Sequence, residues 1–252
     1  MDLNADLGES FGRWTLGDDA RLVGHITSAN LACGFHAGDF RVMEASVALC
    51  RDADVAVGAQ PGYPDLLGFG RRPMPFEPDA VESLVRYQIG ALEAFCRAEG
   101  VEMQHVKPHG ALYNQAAADH ALAGAIARAT ARFSRDLALF GLASSEPMAA
   151  AAADNGLRFV PEAFADRRYL ADGSLQARSE AGSVVADPAA AAAQATSIAV
   201  DATVTAVDGT DLVLRAESIC CHGDTPGAVE IAVSVRRALE DAGVTVAAPG
   251  AL

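Results

Sequence analysis

Short apolar runs alternate with longer amphipathic segments along most of the chain. In one long segment, Val81, Leu84, Val85 and Ile89 recur at the spacing of a single helix face. Seven short runs predict β-strands at Asp2–Leu7, Thr27–Cys33, Val55–Gln60, Glu102–Lys107, Leu137–Leu142, Arg158–Ala163 and Ser218–His222. Six longer segments predict α-helices at Asp39–Asp52, Pro78–Glu99, Ala116–Ser134, Pro147–Asn155, Pro188–Ala199 and Ala228–Ala242. This alternation predicts βα units and a mostly parallel sheet.

The number of βα units favours a barrel. Seven such units within 252 residues suit a closed or nearly closed barrel better than an open sheet. The rhythm breaks where two β-rich runs flank Asp208 and Gly209, which predicts a small antiparallel hairpin near residues 203–215. The stretch Pro61–Pro78 is rich in glycine and proline and predicts a long loop, a candidate lid. We therefore expect an α/β fold in which residues 1–252 form a single β/α-barrel domain.

The composition narrows the class of protein. Hydrophobic residues make up 51% of the chain and charged residues 21%, which is typical of a folded globular protein. A formal net charge of −14 argues against nucleic acid as a partner, because phosphate binding needs clustered Lys and Arg. No apolar run approaches the ~18 residues that span a bilayer, so no membrane association is expected. The five cysteines show no C-x-x-C spacing and no leader is seen, so we expect a cytoplasmic protein.

Polar side chains gather at the ends of the predicted strands. Because side chains alternate along a strand, Asn4 and Asp6 lie on one face of the first predicted strand. By the same alternation, Lys107 and His109 lie on one face at the end of the fourth. The other strand ends contribute Asn30, His36, Asp39, Gln60, Glu162, Asp166, Arg167, Arg168, His222 and Asp224. Because the carboxyl ends of parallel strands meet on one rim, we expect an active site there.

Four of these residues have a structural explanation that is equally good. Asp39 and Asp224 lie just before predicted helices, where a carboxylate commonly caps the helix N-terminus. Arg167 and Arg168 suit solvated surface charges. The recurrence of polar groups at several strand ends is what favours an active site over a set of independent structural roles.

Lys107 is the only lysine in the chain, and its predicted position is inside a barrel mouth. A cation there needs an anion, which is either a carboxylate such as Asp6 or Glu162 or a substrate oxygen. Asp6, His36 and His109 also form a candidate set of divalent-metal ligands, because imidazole and carboxylate suit Zn²⁺ or Mn²⁺. No local metal-binding motif supports this set, so metal binding stays open.

Six separated segments run in order from Asp2 to about Val229: DLNADLGESFG, SANLACGFHAGD, PGYPDLLGFGRR, VKPHGALYN, FADRRY and CHGDTPGAV. Together they resemble the motif series of the LamB/YcsF family. The resemblance implies a seven-stranded β/α barrel of the glycoside hydrolase/deacetylase type. It also implies a component of an ATP-dependent 5-oxoprolinase, which opens 5-oxo-L-proline to L-glutamate together with two partner subunits, of the B and C types.

That reaction assigns expected roles to the rim residues. The expected catalytic residues are Asp6, His36, Lys107, His109 and His222. Asp6 or His36 would be the general base for water, and Lys107 with His109 would stabilise developing negative charge. The expected substrate-binding residues are Asn4, Asn30, Asp39, Gln60, Glu162, Asp166, Arg167, Arg168 and Asp224, with Arg167 or Arg168 holding the substrate carboxylate.

Two other functions stay open on the sequence. One is a metal-dependent amidase or deacetylase on the same barrel, and the other is a non-catalytic ligand-binding subunit. Gln60 keeps the second open, because the family usually has histidine at this position of the motif. No G-x-x-x-x-G-K-[ST] phosphate loop is present, so the sequence does not identify the subunit that binds ATP.

Overall fold

Seven parallel strands close into a barrel in the order β1-β2-β3-β4-β5-β6-β9 in the computed structural model, which describes residues 1–225 and 227–249. The ring closes because β9 pairs with both β1 and β6. The barrel strands are β1 Asp2–Leu7, β2 Ser28–Ala32, β3 Ala56–Gln60, β4 Met103–Val106, β5 Ala138–Leu142, β6 Phe159–Phe164 and β9 Ser218–Cys221. The predicted seven-stranded barrel is confirmed.

The predicted hairpin is also confirmed. Strands β7 (Thr203–Thr205) and β8 (Asp211–Val213) pair antiparallel outside the barrel. No helix in the described part of the chain combines the length and apolar character needed to cross a membrane. That the whole of residues 1–252 forms one domain stays a prediction, and Pro226 of the last motif lies outside the described residues.

Eight α-helices occur in the described residues, two more than the sequence pattern predicts. They are α1 Asp19–Leu22, α2 Phe40–Asp52, α3 Pro78–Glu99, α4 Gly110–Ala116, α5 His120–Phe133, α6 Glu146–Asp154, α7 Pro188–Thr196 and α8 Ala228–Asp241. The helix expected at Ala116–Ser134 is wrong in its start, because Ala116 is the last residue of α4 and α5 begins only at His120. Asp119 accepts hydrogen bonds from the backbone N–H groups of Ala121 and Leu122 and so begins α5 as a separate helix.

The strands have one apolar and one polar face. In β1, Leu3 and Leu7 belong to the apolar core between sheet and helices, whereas Asn4 and Asp6 point into the barrel. This follows from the two-residue period of a strand. The barrel interior is therefore unusually polar, and its buried groups must bond to one another.

Gly58 on β3 makes room for one of these interior groups. A Cβ atom at this position would overlap the imidazole ring of His105. Because glycine has none, the His105 ring crosses the interior and its Nε2 lies 2.8 Å from Oδ1 of Asn30. Two long segments, residues 61–77 after β3 and residues 165–187 after β6, extend beyond the strand ends and contribute to the cavity described next.

Candidate active site

A cavity of about 440 Å³ opens at the carboxyl ends of the barrel strands. Its volume lies within the usual range of small-molecule sites, roughly 300–1,000 Å³. Strands and loops contribute different parts of its wall. The polar and aromatic lining residues are Asp6, Arg71, Lys107, His109, Tyr113, Asn114, Phe164, Arg167, Gln176, Arg178, Ser179 and His222.

Lys107 lies at the base of this cavity in a closed ion-pair network. Its Nζ atom is 2.8 Å from Oε1 of Glu162 and 3.2 Å from Oδ1 of Asp6. It also donates to Oδ1 of Asn4 at 3.1 Å and to Sγ of Cys220 at 3.0 Å. Of the two kinds of anion that the sequence left open for Lys107, a carboxylate or a substrate oxygen, the structure shows carboxylates, and they engage the ammonium hydrogens.

The ion pairs fix the charges of both partners. Burial alone would raise the pKa of Asp6, but the Lys107 ammonium holds that pKa well below its usual range. Burial likewise opposes the charge of Lys107, and Asp6 with the other acidic neighbours raises the Lys107 pKa well above its usual range. Asp6 is therefore a carboxylate and Lys107 a cation at neutral pH. Oδ1 of Asp6 accepts from Asn30, whereas Oδ2 receives no hydrogen bond from the described residues.

His222 is oriented by Asp166. Nδ1 of His222 lies 2.9 Å and 3.1 Å from the two carboxylate oxygens of Asp166, and the backbone N–H of His222 donates to Oδ2 at 3.0 Å. Burial works to raise the pKa of Asp166, but the His222 ring and backbone lower it below its usual value. The carboxylate thus holds Nδ1 of His222 as a donor and leaves Nε2 as a potential proton acceptor. A ligand atom of His222 and one of Asp6 lie within 4.8 Å of each other.

A second imidazole pair lies at one side of the cavity. The rings of His36 and His109 stack face to face, with centroids 3.8 Å apart and planes 5° apart. His109 lines the cavity, whereas His36 lies behind it and is 0% exposed. Burial, with the neighbouring His109, lowers the pKa of His36 well below its usual value, and burial lowers the pKa of His109 to about 4. Both rings are uncharged at neutral pH, and His36 is too deep to act on cavity water.

Two groups of side chains come close enough to consider a metal ion. One is Asp6, Cys220 and His222, but the Nζ atom of Lys107 lies 3.0 Å from the sulfur and 3.2 Å from the carboxylate, where a cation would have to sit. This first group does not fit a divalent ion beside the ammonium.

The other metal candidate is Glu9 with His36 and His109. The two stacked rings lie in nearly parallel planes, and a single ion cannot lie in both planes and so in line with a lone pair of each ring. The set expected from the sequence, Asp6 with His36 and His109, is divided between these two groups. As arranged, the side chains do not fit a metal ion, and no chemical step is assigned to one.

Three arginines reach the cavity from loops. The guanidinium of Arg167 donates to the backbone oxygens of Gln176 and Ser183, so it holds the 165–187 segment together. Arg71 donates to Oδ2 of Asp224 at 2.5 Å. Arg178 lies 3.7 Å from the other oxygen of Asp224, and its buried Nη2 has no hydrogen-bond partner among residues 1–225 and 227–249. Arg178 is therefore the arginine with donors available for an anionic ligand.

The comparisons with known proteins agree over the whole chain. The model of the LamB/YcsF family matches residues 1–251. The chain belongs to the LamB/YcsF family. It is 54% identical over 251 residues to the 5-oxoprolinase A subunit of Symbiobacterium thermophilum, covering 100% of this chain and 96% of that relative. It is 53% identical over 249 residues to the 5-oxoprolinase A subunit of Chloroflexus aggregans, covering 99% and 98%.

A solved structure of the family has the same fold. The lactam utilization protein of Thermus thermophilus superposes with a TM-score of 0.92 at 47% identity, covering 98% of this chain and 99% of that one. The identity is high enough that this LamB/YcsF chain and the Thermus protein share their architecture throughout.

Twelve of the fourteen candidate residues of this LamB/YcsF protein fall into three groups. Those that line the cavity are Asp6, Lys107, His109, Arg167 and His222. Those buried beneath or beside it are Asn4, Asn30, His36, Gln60, Glu162 and Asp166, and they bond to cavity residues or to one another. Asp224 lies at the rim and pairs with arginines.

Asp39 and Arg168 are placed outside the cavity. Asp39 caps α2, because its carboxylate accepts from the backbone N–H groups of Arg41 and Val42. Arg168 is exposed and contributes nothing to the cavity wall. The helix-cap and surface-charge explanations therefore describe these two residues.

Sequence reasoning missed six polar residues of the cavity, which are Arg71, Tyr113, Asn114, Gln176, Arg178 and Ser179. Tyr113 and Asn114 belong to the VKPHGALYN motif, and Arg71 ends the PGYPDLLGFGRR motif, so the motifs themselves were the available signal. Arg178 lies in an irregular loop well after β6, and no strand-end or motif pattern marks it.

Proposed function

We propose that this chain is the component of an ATP-dependent 5-oxoprolinase in which 5-oxo-L-proline is opened to L-glutamate. The observation that carries this proposal is the meeting, in one small cavity, of the Asp6 carboxylate, the oriented His222 ring and the open guanidinium of Arg178. Hydrolysis of a lactam acid needs a base that activates water, a fixed negative charge beside that base and a cation that binds the substrate carboxylate. The names of the Symbiobacterium and Chloroflexus relatives, each an A subunit of 5-oxoprolinase, support the same reaction.

The substrate carboxylate binds Arg178, with Arg71 beside it. A guanidinium donates two parallel hydrogen bonds to a carboxylate, which fixes the orientation of the lactam as well as its position. Asp224 pairs with Arg71 and lies near Arg178, so it keeps both guanidinium groups at the rim. This role replaces the one that the sequence pattern assigned to Arg167 or Arg168.

Water is activated between Asp6 and His222. Nε2 of His222 accepts a proton from water as the oxygen attacks the lactam carbonyl carbon, while Asp166 stabilises the imidazolium that forms. The C–N bond then breaks, the ring nitrogen takes the proton from His222, and the products are a carboxylate and an amine. Lys107 keeps Asp6 ionised throughout, so that a negative group faces the developing imidazolium.

An unactivated lactam is a stable amide, and ATP supplies the driving force. Transfer of the γ-phosphoryl group of ATP to the lactam oxygen would release ADP and make the lactam carbon a better electrophile. When the C–N bond breaks, the phosphate would stay on the new carboxyl group as an acyl phosphate, and a second water would release it as inorganic phosphate to give the final carboxylate. This chain contains no phosphate loop of the common type, so in this proposal the nucleotide is bound within the assembly with the partner subunits. The five cysteines are all free thiols, which supports a reducing cytoplasm as the compartment.

The test is reconstitution with the two partner subunits and measurement of glutamate release from 5-oxo-L-proline with and without ATP. His222→Gln is expected to lower kcat by about 10²–10⁴-fold, the usual contribution of a general base. His120→Gln is the matched control, because that ring is exposed at the start of α5. Saturable binding of 5-oxo-L-proline without any turnover by the wild-type complex would instead support a non-catalytic, ligand-binding role.

A further inference from the structure

Arg167 is a buried cation of the cavity wall to which the proposed reaction gives no role. It follows β6, and only 5% of the residue is exposed. Its hydrogen bonds go to the uncharged backbone oxygens of Gln176 and Ser183, and no carboxylate forms an ion pair with it in the described part of the chain. Asp166, the preceding residue, directs its carboxylate to His222 instead. A buried charge without a counter-charge is costly, so Arg167 favours an anionic ligand.

One nitrogen of the Arg167 guanidinium is left for such a ligand. A guanidinium donates through three nitrogens, and here Nε and Nη2 hold the 165–187 segment. Nη1 forms no hydrogen bond within residues 1–225 and 227–249. Because Arg167 lines the cavity, a molecule bound there is the available acceptor for Nη1.

The other two arginines of the cavity strengthen this preference for an anion. Burial lowers the pKa of Arg167 to about 10, and the charges of Arg178 and Arg71 act in the same direction, while Asp166 opposes them only in part. Arg167 is still a cation at neutral pH. The one carboxylate of Asp224 already pairs with Arg71 and Arg178. Three guanidinium groups therefore reach one cavity, and their mutual repulsion is relieved when anions occupy it.

Arg167 and the rim arginines differ in depth. The side chains of Arg71 and Arg178 are 35% and 22% exposed, whereas Arg167 is almost fully buried. Arg167 also comes directly after Asp166, which orients His222. The anion position at Arg167 is therefore the one closer to the groups that activate water, and the position at Arg178 is the one closer to solvent.

The cavity has room for more than the lactam. Its volume is about 440 Å³, and cavities of roughly 300–1,000 Å³ commonly hold drug-sized ligands. A single five-membered ring with one carboxylate is smaller than such ligands. A further group attached to the lactam oxygen can therefore be accommodated within the same cavity.

We propose that the cavity has two anion positions, and that Arg167 binds the phosphoryl group on the lactam oxygen while Arg178 binds the substrate carboxylate. The proposal rests on the proposed function, in which ATP donates that group. A phosphoryl group carries a charge of about −1.5 to −2 and three acceptor oxygens, and a guanidinium matches its geometry. In the lactam ring the carbonyl and the carboxylate lie on opposite sides of the nitrogen, so a carboxylate at the rim leaves the carbonyl oxygen on the deeper side, with Arg167.

The first test measures binding to the isolated full chain and needs no turnover. L-2-amino-5-phosphonopentanoate resembles the acyl phosphate, because it carries a carboxylate and a phosphonate at the two ends of one chain. L-norvaline has the same carbon chain without the second anion and is the matched control ligand. In isothermal titration calorimetry the phosphonate is expected to bind at least about tenfold more tightly than L-norvaline, the effect of an added charged hydrogen bond. Equal affinities would overturn the proposal.

Variants of the full chain separate the two positions. Arg167→Gln is expected to weaken binding of the phosphonate about 10–100-fold and to leave binding of 5-oxo-L-proline within about threefold. Arg178→Gln is expected to weaken both ligands. Arg168→Gln is the matched control, because this neighbouring arginine is exposed and lies outside the cavity. If Arg167→Gln weakens both ligands equally, or neither, Arg167 has no anion position of its own.

A measurement on the wild-type chain avoids any effect of Arg167→Gln on the 165–187 segment. Inorganic phosphate is titrated into the chain with and without saturating 5-oxo-L-proline. Two anion positions predict that phosphate binds in both titrations. Loss of phosphate binding when 5-oxo-L-proline is present would mean a single shared position and would overturn the proposal.

The kinetic test uses the complex reconstituted with the partner subunits. Arg167→Gln is expected to lower kcat about 10–100-fold with KM for 5-oxo-L-proline within about threefold, because the phosphoryl contact forms only after the lactam has bound. A raised KM with unchanged kcat would contradict this assignment. Absence of turnover in the wild-type complex would count against the proposed function instead, and the binding results would still decide whether the cavity has two anion positions.

Discussion

Removal of the Lys107 charge tests the central electrostatic feature of the barrel. Lys107→Met keeps a side chain of similar length but leaves the carboxylates of Asp6 and Glu162 buried without the cation that now lies 3.2 Å and 2.8 Å away. Loss of one partner from a buried ion pair typically costs about 3–5 kcal/mol. For a chain of this size that corresponds to a fall in Tm of roughly 6–20 °C. The measurement is urea and thermal unfolding followed by circular dichroism.

The loss of unfolding free energy in Lys107→Met should also depend on pH. With Lys107 present, the lowered pKa of Asp6 adds stability above pH ~4, and this contribution is lost only at lower pH. Without Lys107, burial raises the pKa of both carboxyls, so the charged forms oppose folding at pH 7 and less so at pH 5.

The triple change Lys107→Met, Asp6→Asn and Glu162→Gln should recover much of the lost stability. Arg215→Met, at an exposed arginine, is the control and should stay within about 0.5 kcal/mol of wild type. An unchanged urea midpoint for Lys107→Met at pH 7 would refute this reasoning.

Three further predictions concern the site and its surroundings. Arg178→Gln should raise KM for the lactam acid about 10–100-fold, the loss of a charged hydrogen bond, whereas Arg215→Gln should not; equal KM values would remove Arg178 from carboxylate binding. After exhaustive dialysis against a metal chelator, with Mg²⁺ returned only for ATP, the rate of glutamate release should stay within about twofold of the untreated complex. Loss of activity that Zn²⁺ or Mn²⁺ restores would contradict the conclusion that the side chains do not fit a metal ion. Asp39→Ala should cost about 1 kcal/mol of unfolding free energy through the lost cap of α2 while KM stays unchanged, and a raised KM would return Asp39 to the substrate site.

Which side chains of each strand face the barrel interior could be predicted from the sequence, because this depends on local geometry alone. A strand has a period of two, and parallel strands end on one rim. These two rules bring Asp6, Lys107 and His222 to the same cavity although they are far apart along the chain. The same rules place Asn4 below Asp6, where it bonds to Glu162.

The depth of each polar group could not be predicted in this way. Depth depends on register and on side-chain paths across the barrel, and these follow from tertiary packing. Asp6 pairs in register with Asn30, yet Asp6 lines the cavity and Asn30 is covered. The position of Arg178 depends on the course of the 165–187 segment, which has no regular pattern in the sequence. Local capping likewise decided the role of Asp39, since a carboxylate before a helix suits a cap and a ligand site equally well.

The charges of the site are divided between two levels, and this division bears on how the reaction is organised. At the lower level Lys107 is saturated by two carboxylates, so it sets the ionisation of the base region and has few donors left for a ligand. At the upper level Arg71 and Arg178 share the single carboxylate of Asp224, which leaves an excess of positive charge at the entrance. Under the proposed function, we expect an anionic lactam to be attracted to the arginines of the rim and its carbonyl to face Asp6, whose ionisation Lys107 maintains. The arginines of the loops, more than the lysine of the barrel, are the groups that would distinguish an acidic lactam from a neutral one.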